Sequence, residues 1–173
     1  QSRDFMAGDR TLHSSALIPE SWLDQAQQDG LSVSRQLIFM TMTFAVDKPQ
    51  LASVKAVDNR YPMFGTLQTN PPGLKPAAGT ALAAPRLMAL LNLKVGDKLD
   101  VGDTTLTIAG ELIQEPDGGF NPFQMAPRLM INLADVDKTG AIQPGSRYTW
   151  HYKFSGNPDQ LAAYDSWIKP LLK

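Results

Sequence analysis

An α+β fold, split by an insertion, follows from three features of the sequence. Gln36–Val46 is a long strand with apolar or β-branched residues on both faces, and Asp47–Gln50 turns it back into a second strand, Leu51–Val57. Arg147–Phe154 alternates strictly between large apolar and polar residues and leads into a capped helix. Between these, from Pro62 to about Pro144, short strands, prolines and glycines replace that pattern. The two chain ends then build one layered unit of order β-α-β-β plus β-α, split α+β, and the middle forms a mainly β unit inserted into it. The expected boundaries are 1–61 with 145–173 for the first unit and 62–144 for the second.

The elements follow in order. Asp9–Ser15 reads as a short strand, and Ile18-Pro19-Glu20-Ser21 opens a helix, Pro suiting its first position and Glu its positive end. Trp22, Leu23 and Ala26 give that helix an apolar face, and Gly30 stops it. Leu51, Ser53 and Lys55 lie on one face of their strand, with Ala52, Val54, Ala56 and Val57 mostly on the other. Asp58-Asn59-Arg60 then tolerates a turn, Pro62 extends Tyr61, and Met63 and Phe64 bunch just beyond.

In the middle unit Asn70–Gly79 reads as loop and Ala84–Leu93 as a short helix. Lys98–Val101 and Thr104–Ala109 are strands joined by Gly102-Asp103. Glu115–Pro127 is a long loop with Gly118-Gly119 at its bend, followed by a strand at Arg128–Asn132 and a helical turn at Leu133–Asp137. In the last strand Tyr148, Trp150, Tyr152 and Phe154 face in, and this strand belongs to the same sheet as Gln36–Val46. Asn157-Pro158 caps a helix that buries Leu161, Tyr164, Ile168 and Leu171.

Composition excludes several classes. A net charge of −1 leaves no electrostatic footprint for nucleic acid. With no cysteine there are no disulfides, thiol nucleophiles or cysteine-based metal sites. No run approaches the ~18–20 apolar residues of a membrane span, and no signal peptide is present. The chain starts at Gln1 without Met and stops at Lys173 inside a helical pattern, so both ends read as cut.

Catalytic equipment is not found either. Asp9, His13 and Ser15 are the residue types of a hydrolytic triad, but alternate strand residues lie roughly 7 Å apart, beyond hydrogen-bond reach. His151 sits on a polar strand face without a second histidine near it in sequence, which argues against a metal site. Gly96-Asp97 and Gly102-Asp103 lack calcium-loop spacing and read as turn residues. No catalytic, cofactor or metal residue is assigned, and the chain is not expected to be an enzyme. The contact candidates are Met63 and Phe64 past the first turn, with Phe120, Pro122, Phe123 and Met125 on the glycine-hinged loop. Phe123 and Met125 have an equally good alternative, packing beneath their own unit.

Four ordered stretches carry a resemblance. They are AGDRTLHSS (7–15), VKAVDNRYPMFG (54–65), LMALLNLKVGDKLDVGDTTLTIAGEL (87–112) and APRLMINLADVDKTGAIQPGSR (126–147). Together they span nearly the whole chain, and it resembles the extracytoplasmic domain of FtsX/MacB-superfamily ABC-transporter permeases. The resemblance implies a "Porter" subdomain made by both chain ends and an inserted "Sabre" subdomain. It also implies flanking membrane helices and a periplasmic position on a bacterial inner-membrane protein. The partners it implies are a cytoplasmic ATPase, a periplasmic esterase/lysophospholipase and a hydrophobic, lipid-like substrate moved by ATP-driven motion of the domain. Lipoprotein-releasing relatives carry a long hook between the "vGD" strand and the next; here Gly102-Asp103-Thr104 is the whole connection, so the hook's role does not carry over. A stand-alone periplasmic binding module for a lipid or protein partner is the other class to weigh.

Overall fold

The computed structural model of the protein describes residues 5–6, 9–117 and 126–172. In chain order the strands and helices are β1 (Phe5–Met6), β2 (Asp9–Ser14), α1 (Glu20–Gln28), β3 (Ser32–Ala45), β4 (Lys48–Val57), β5 (Gln68–Asn70) and β6 (Thr80–Ala83). There follow α2 (Pro85–Leu91), β7 (Lys98–Val101), β8 (Thr104–Gln114), β9 (Arg128–Asn132), α3 (Val136–Thr139), β10 (Tyr148–Ser155) and α4 (Pro158–Ile168). The fold is α+β, as the sequence predicts. Two compact units emerge, Gln1–Gln36 with Thr149–Lys173 and Leu37–Tyr148.

The first unit has strand order β1-β2-β10-β3, so the strand Arg147–Phe154 does share a sheet with β3. β2 and β10 run antiparallel, with Trp150 opposite Ser14 and Phe154 opposite Arg10. Both helices cover one face of this sheet, where Leu12, Leu23, Tyr152, Phe154, Leu161 and Tyr164 form the core. Helix α4 starts where its local chemistry directs. The Asn157 side chain accepts from the Gln160 N–H at 2.9 Å while the Gln160 side chain accepts from the Asn157 N–H at 2.9 Å. Gly30, in the left-handed region at φ 85°, ends the turn after α1, and a Cβ there would lie 2.4 Å from the Gln160 amide nitrogen. The Tyr164 hydroxyl donates to the Trp22 carbonyl at 2.8 Å and the Arg10 guanidinium pairs with Asp165 of α4. Leu171, expected in the core, is largely exposed, because α4 tightens into a 3-10 turn at Lys169–Leu172 and the helical period is lost.

The second unit has strand order β4-β9-β6-β8-β5, with β3 hairpinned to β4 and β7 pairing with both β3 and β8. β4 runs parallel to β9 and β6 parallel to β8. Parallel pairing of this kind goes with strands buried on both faces, and every residue from Ala52 to Val57 is buried. Residues 37–61 fall within the compact unit Leu37–Tyr148. β3 is central, yet only one face is covered: Leu37, Phe39, Thr43 and Ala45 are buried, whereas Met40, Met42 and Phe44 are exposed. The hairpin turn is the tight pair Val46-Asp47 rather than Asp47–Gln50. The short strands β5 and β6 were not expected; each is held by β8, which runs on to Gln114.

Candidate functional site

Lys55 lies in the middle of β4, 3% exposed. Alternation sets Ser53 and Lys55 on the opposite face from Ala52, Val54 and Ala56, and the structure buries both faces. A buried ammonium is tolerated only when paired and hydrogen-bonded. Here Lys55 Nζ donates to Glu115 Oε1 and to Asp117 Oδ1, each at 2.8 Å, and sits 5.0 Å from the centroid of the Tyr61 ring. The other Glu115 oxygen accepts from Arg128 Nε at 3.0 Å, and Arg128 Nη1 donates to Ser53 Oγ at 2.9 Å. Two cations therefore meet two carboxylates.

Tyr61 completes the cluster. Its hydroxyl donates to Asp117 Oδ1 at 2.6 Å. Burial, and then the neighbouring Asp117 charge, push the phenol well above its ordinary range. Tyr61 is thus a fixed donor and not a base. Every charged side chain in the cluster faces an opposite charge, so the arrangement offers neither a free nucleophile nor an acid–base couple. Its consequence is geometric. Glu115 and Asp117 fix the chain on one side of residues 118–125, and on the other the Ser53 N–H donates to the Pro127 carbonyl at 2.8 Å, with Arg128 paired opposite Ser53. Both stems of that stretch are held on β4.

Of the predicted contact residues, Met63 and Phe64 are placed beside this stem. Gly65 adopts φ 71°, and a Cβ there would lie 2.7 Å from Pro116 Cβ, so the turn carrying Met63 and Phe64 runs directly against Pro116. Met63 is half-buried and Phe64 is 46% exposed. Phe120, Pro122, Phe123 and Met125 lie outside the described residues, as do Gly118-Gly119 and both chain ends. The cluster of Lys55, Tyr61, Glu115, Asp117 and Arg128 is not singled out by the sequence. The available signals were a lysine inside an otherwise buried run and two acidic residues flanking Pro116.

The histidines need a correction too. His151 does have a second histidine beside it: His13 is its direct partner across β2 and β10, the rings stacked with centroids 4.1 Å apart and planes 8° from parallel. That pairing spans most of the chain and is invisible to local spacing. No group of three or more metal-ligating side chains occurs among the described residues. Ser14 Oγ is engaged with the Ala16 backbone, donating to its carbonyl at 2.6 Å. Asp103 behaves as a turn residue, its N–H donating to the Thr139 carbonyl at 2.8 Å.

No family model matches the chain. Over all 173 residues it is 72% identical to a protein of Escherichia coli (strain K12) described as the uncharacterized ABC transporter permease YbbP, and spans 22% of that protein's length. In fold it is similar to the extracellular domain of the noncanonic ABC-type transporter YknZ from Gram-positive bacteria, with a TM-score of 0.61 at 9% identity, covering 85% of this chain and 78% of that one. A domain of a putative permease from Porphyromonas gingivalis gives a TM-score of 0.49 at 13% identity, over 80% of this chain and 69% of that one. Within the superfamily, the ordered motifs point most closely to the YbbP-type permeases, and the identity over the full chain bears that out. The chain corresponds, over its whole length, to one domain of an ABC transporter permease of the YbbP kind.

Proposed function

We propose that this chain is the periplasmic domain of an inner-membrane ABC permease that turns ATP hydrolysis by a cytoplasmic ATPase subunit into motion on the periplasmic side. The observation that carries this reading is the 72% identity to an ABC transporter permease over every residue of the chain. In this reading the Porter role falls to residues 1–61 with 145–173 and the Sabre role to residues 62–144. The domain has no catalytic activity of its own. Met63, Phe64, Phe120, Pro122, Phe123 and Met125 form its contact surface, and the substrate is a hydrophobic, lipid-like compound extracted or exported with help from a periplasmic esterase/lysophospholipase. The exposure of Phe64 and the anchoring of both stems beside it support a fixed apolar contact at this place.

These 173 residues contain no cysteine, so Phe64→Cys adds one thiol to the domain for an environment-sensitive fluorophore, with the parent permease treated alike as the reference. In the intact permease with its ATPase, the label should respond to ATP and lose that response when the ATPase is made hydrolysis-deficient. A label indifferent to ATP would refute transmission. A response in the isolated domain to a hydrophobic compound alone would instead favour a stand-alone binding module.

A further inference from the structure

We infer that Lys55 is a positioning residue, fixing where the chain leaves β8 at Glu115–Asp117 and hence how Pro116 is set against the turn that carries Met63 and Phe64. The inference rests on the reading that Met63 and Phe64 belong to the contact surface. A buried ion cluster is a poor source of stability, because well-packed apolar side chains of similar volume serve as well or better. What a lysine supplies instead is direction: one ammonium at 2.8 Å from both Glu115 and Asp117 allows a single placement of the residues on either side of Pro116. Arg128 locks the second Glu115 oxygen and reaches Ser53, while Tyr61 locks Asp117. All these groups converge on a strand that is buried from Ala52 to Val57 and paired with β9. Apolar packing at position 55 would keep the strand and lose the placement.

Charge explains why the cation is the critical member. Without Lys55, Glu115 and Asp117 lose the one cation that bridges them, while Arg128 remains on Glu115. Solvation then favours moving the stem outward, whereas removing the Tyr61 hydroxyl loosens Asp117 alone.

Amide hydrogen exchange on the 173-residue chain, with Lys55→Met, Lys55→Arg and Tyr61→Phe, tests this. In Lys55→Met, peptides covering 113–128 should exchange about tenfold or more faster, with peptides covering 95–109 unchanged, since local opening is independent of global unfolding. Lys55→Arg should restore protection and Tyr61→Phe should give a smaller, equally local change. Unchanged exchange over 113–128 in folded Lys55→Met, or an arginine variant as exposed as the methionine one, overturns the inference. If Lys55→Met does not fold, Tyr61→Phe and Asp117→Asn carry the same local test, and unchanged protection in both overturns it. If the stem loosens as expected while an intact permease carrying Lys55→Met works normally, positioning stands and the contact-surface reading falls.

Discussion

Tyr61 and Lys55 converge on one oxygen, Asp117 Oδ1, from 2.6 and 2.8 Å. The phenol arrives from the turn after β4 and the ammonium from within β4, so the turn and the strand share an anchor. A hydrogen bond to a charged group is worth about 1.5–3 kcal/mol, and Tyr61→Phe should lower stability by that order at neutral pH. Denaturant unfolding checks the value.

The same tyrosine sets an alkaline limit. Burial raises the phenols of Tyr61, Tyr152 and Tyr164 above their ordinary value. In the unfolded chain each loses its proton near pH 10, whereas the folded chain retains it. Above that pH the unfolded state binds fewer protons, so stability is full below about pH 10 and falls as pH rises beyond it. Tyr61→Phe should therefore flatten the decline between about pH 10 and 11 relative to the parent. An unchanged slope in denaturant titrations across that window would contradict the burial of this phenol.

The elements readable from sequence are those whose determinants are local. The Asn157-Pro158 start of α4, the Gly102-Asp103 turn between β7 and β8, and β9 at Arg128–Asn132 all stand where the residues place them. Elements created by distant pairing were not readable. β5 and β6 have three and four residues; β5 is held by β8, and β6 by β8 and β9. The site divides in the same way: the exposure of Phe64 follows from its place beyond a Pro-marked turn, but the burial of Lys55 depends on Glu115 and Asp117, about sixty residues away.

In the first unit Arg10 is buried and paired with Asp165, which is more exposed. Removing only the acid takes the paired charge from a buried guanidinium, which costs more than removing both members. Asp165→Ala should thus destabilise more than Arg10→Met combined with Asp165→Ala. A double variant weaker than the single one, measured by thermal unfolding, would show that the pair is not the main interaction of Arg10.

Val46 stands at φ 57°, 95% exposed, at the tip of the β3–β4 hairpin. A β-branched residue there carries backbone strain of about 1–3 kcal/mol and gains no burial in return. Val46→Asn should relieve the strain without the unfolded-state entropy of glycine, raising stability by about 1 kcal/mol, and Val46→Gly should gain less. A loss of stability in both variants would show that the turn conformation is not the one described.

Phe64 and Phe154 give opposite expectations for the same substitution. Phe154 is 1% exposed and packs on Tyr164 with ring centroids 4.9 Å apart, so truncation to Ala leaves a cavity costing about 3–5 kcal/mol. Phe64 is 46% exposed on a turn that Gly65 and Pro116 already fix. Phe64→Ala should leave the melting temperature within about 2 °C of the parent, since surface changes away from special features stay near ±0.5 kcal/mol. In the intact permease the proposed contact surface predicts that Phe64→Ala and Phe120→Ala impair function at normal abundance. A large fall in melting temperature for either would make it a core residue and remove it from the proposed contact.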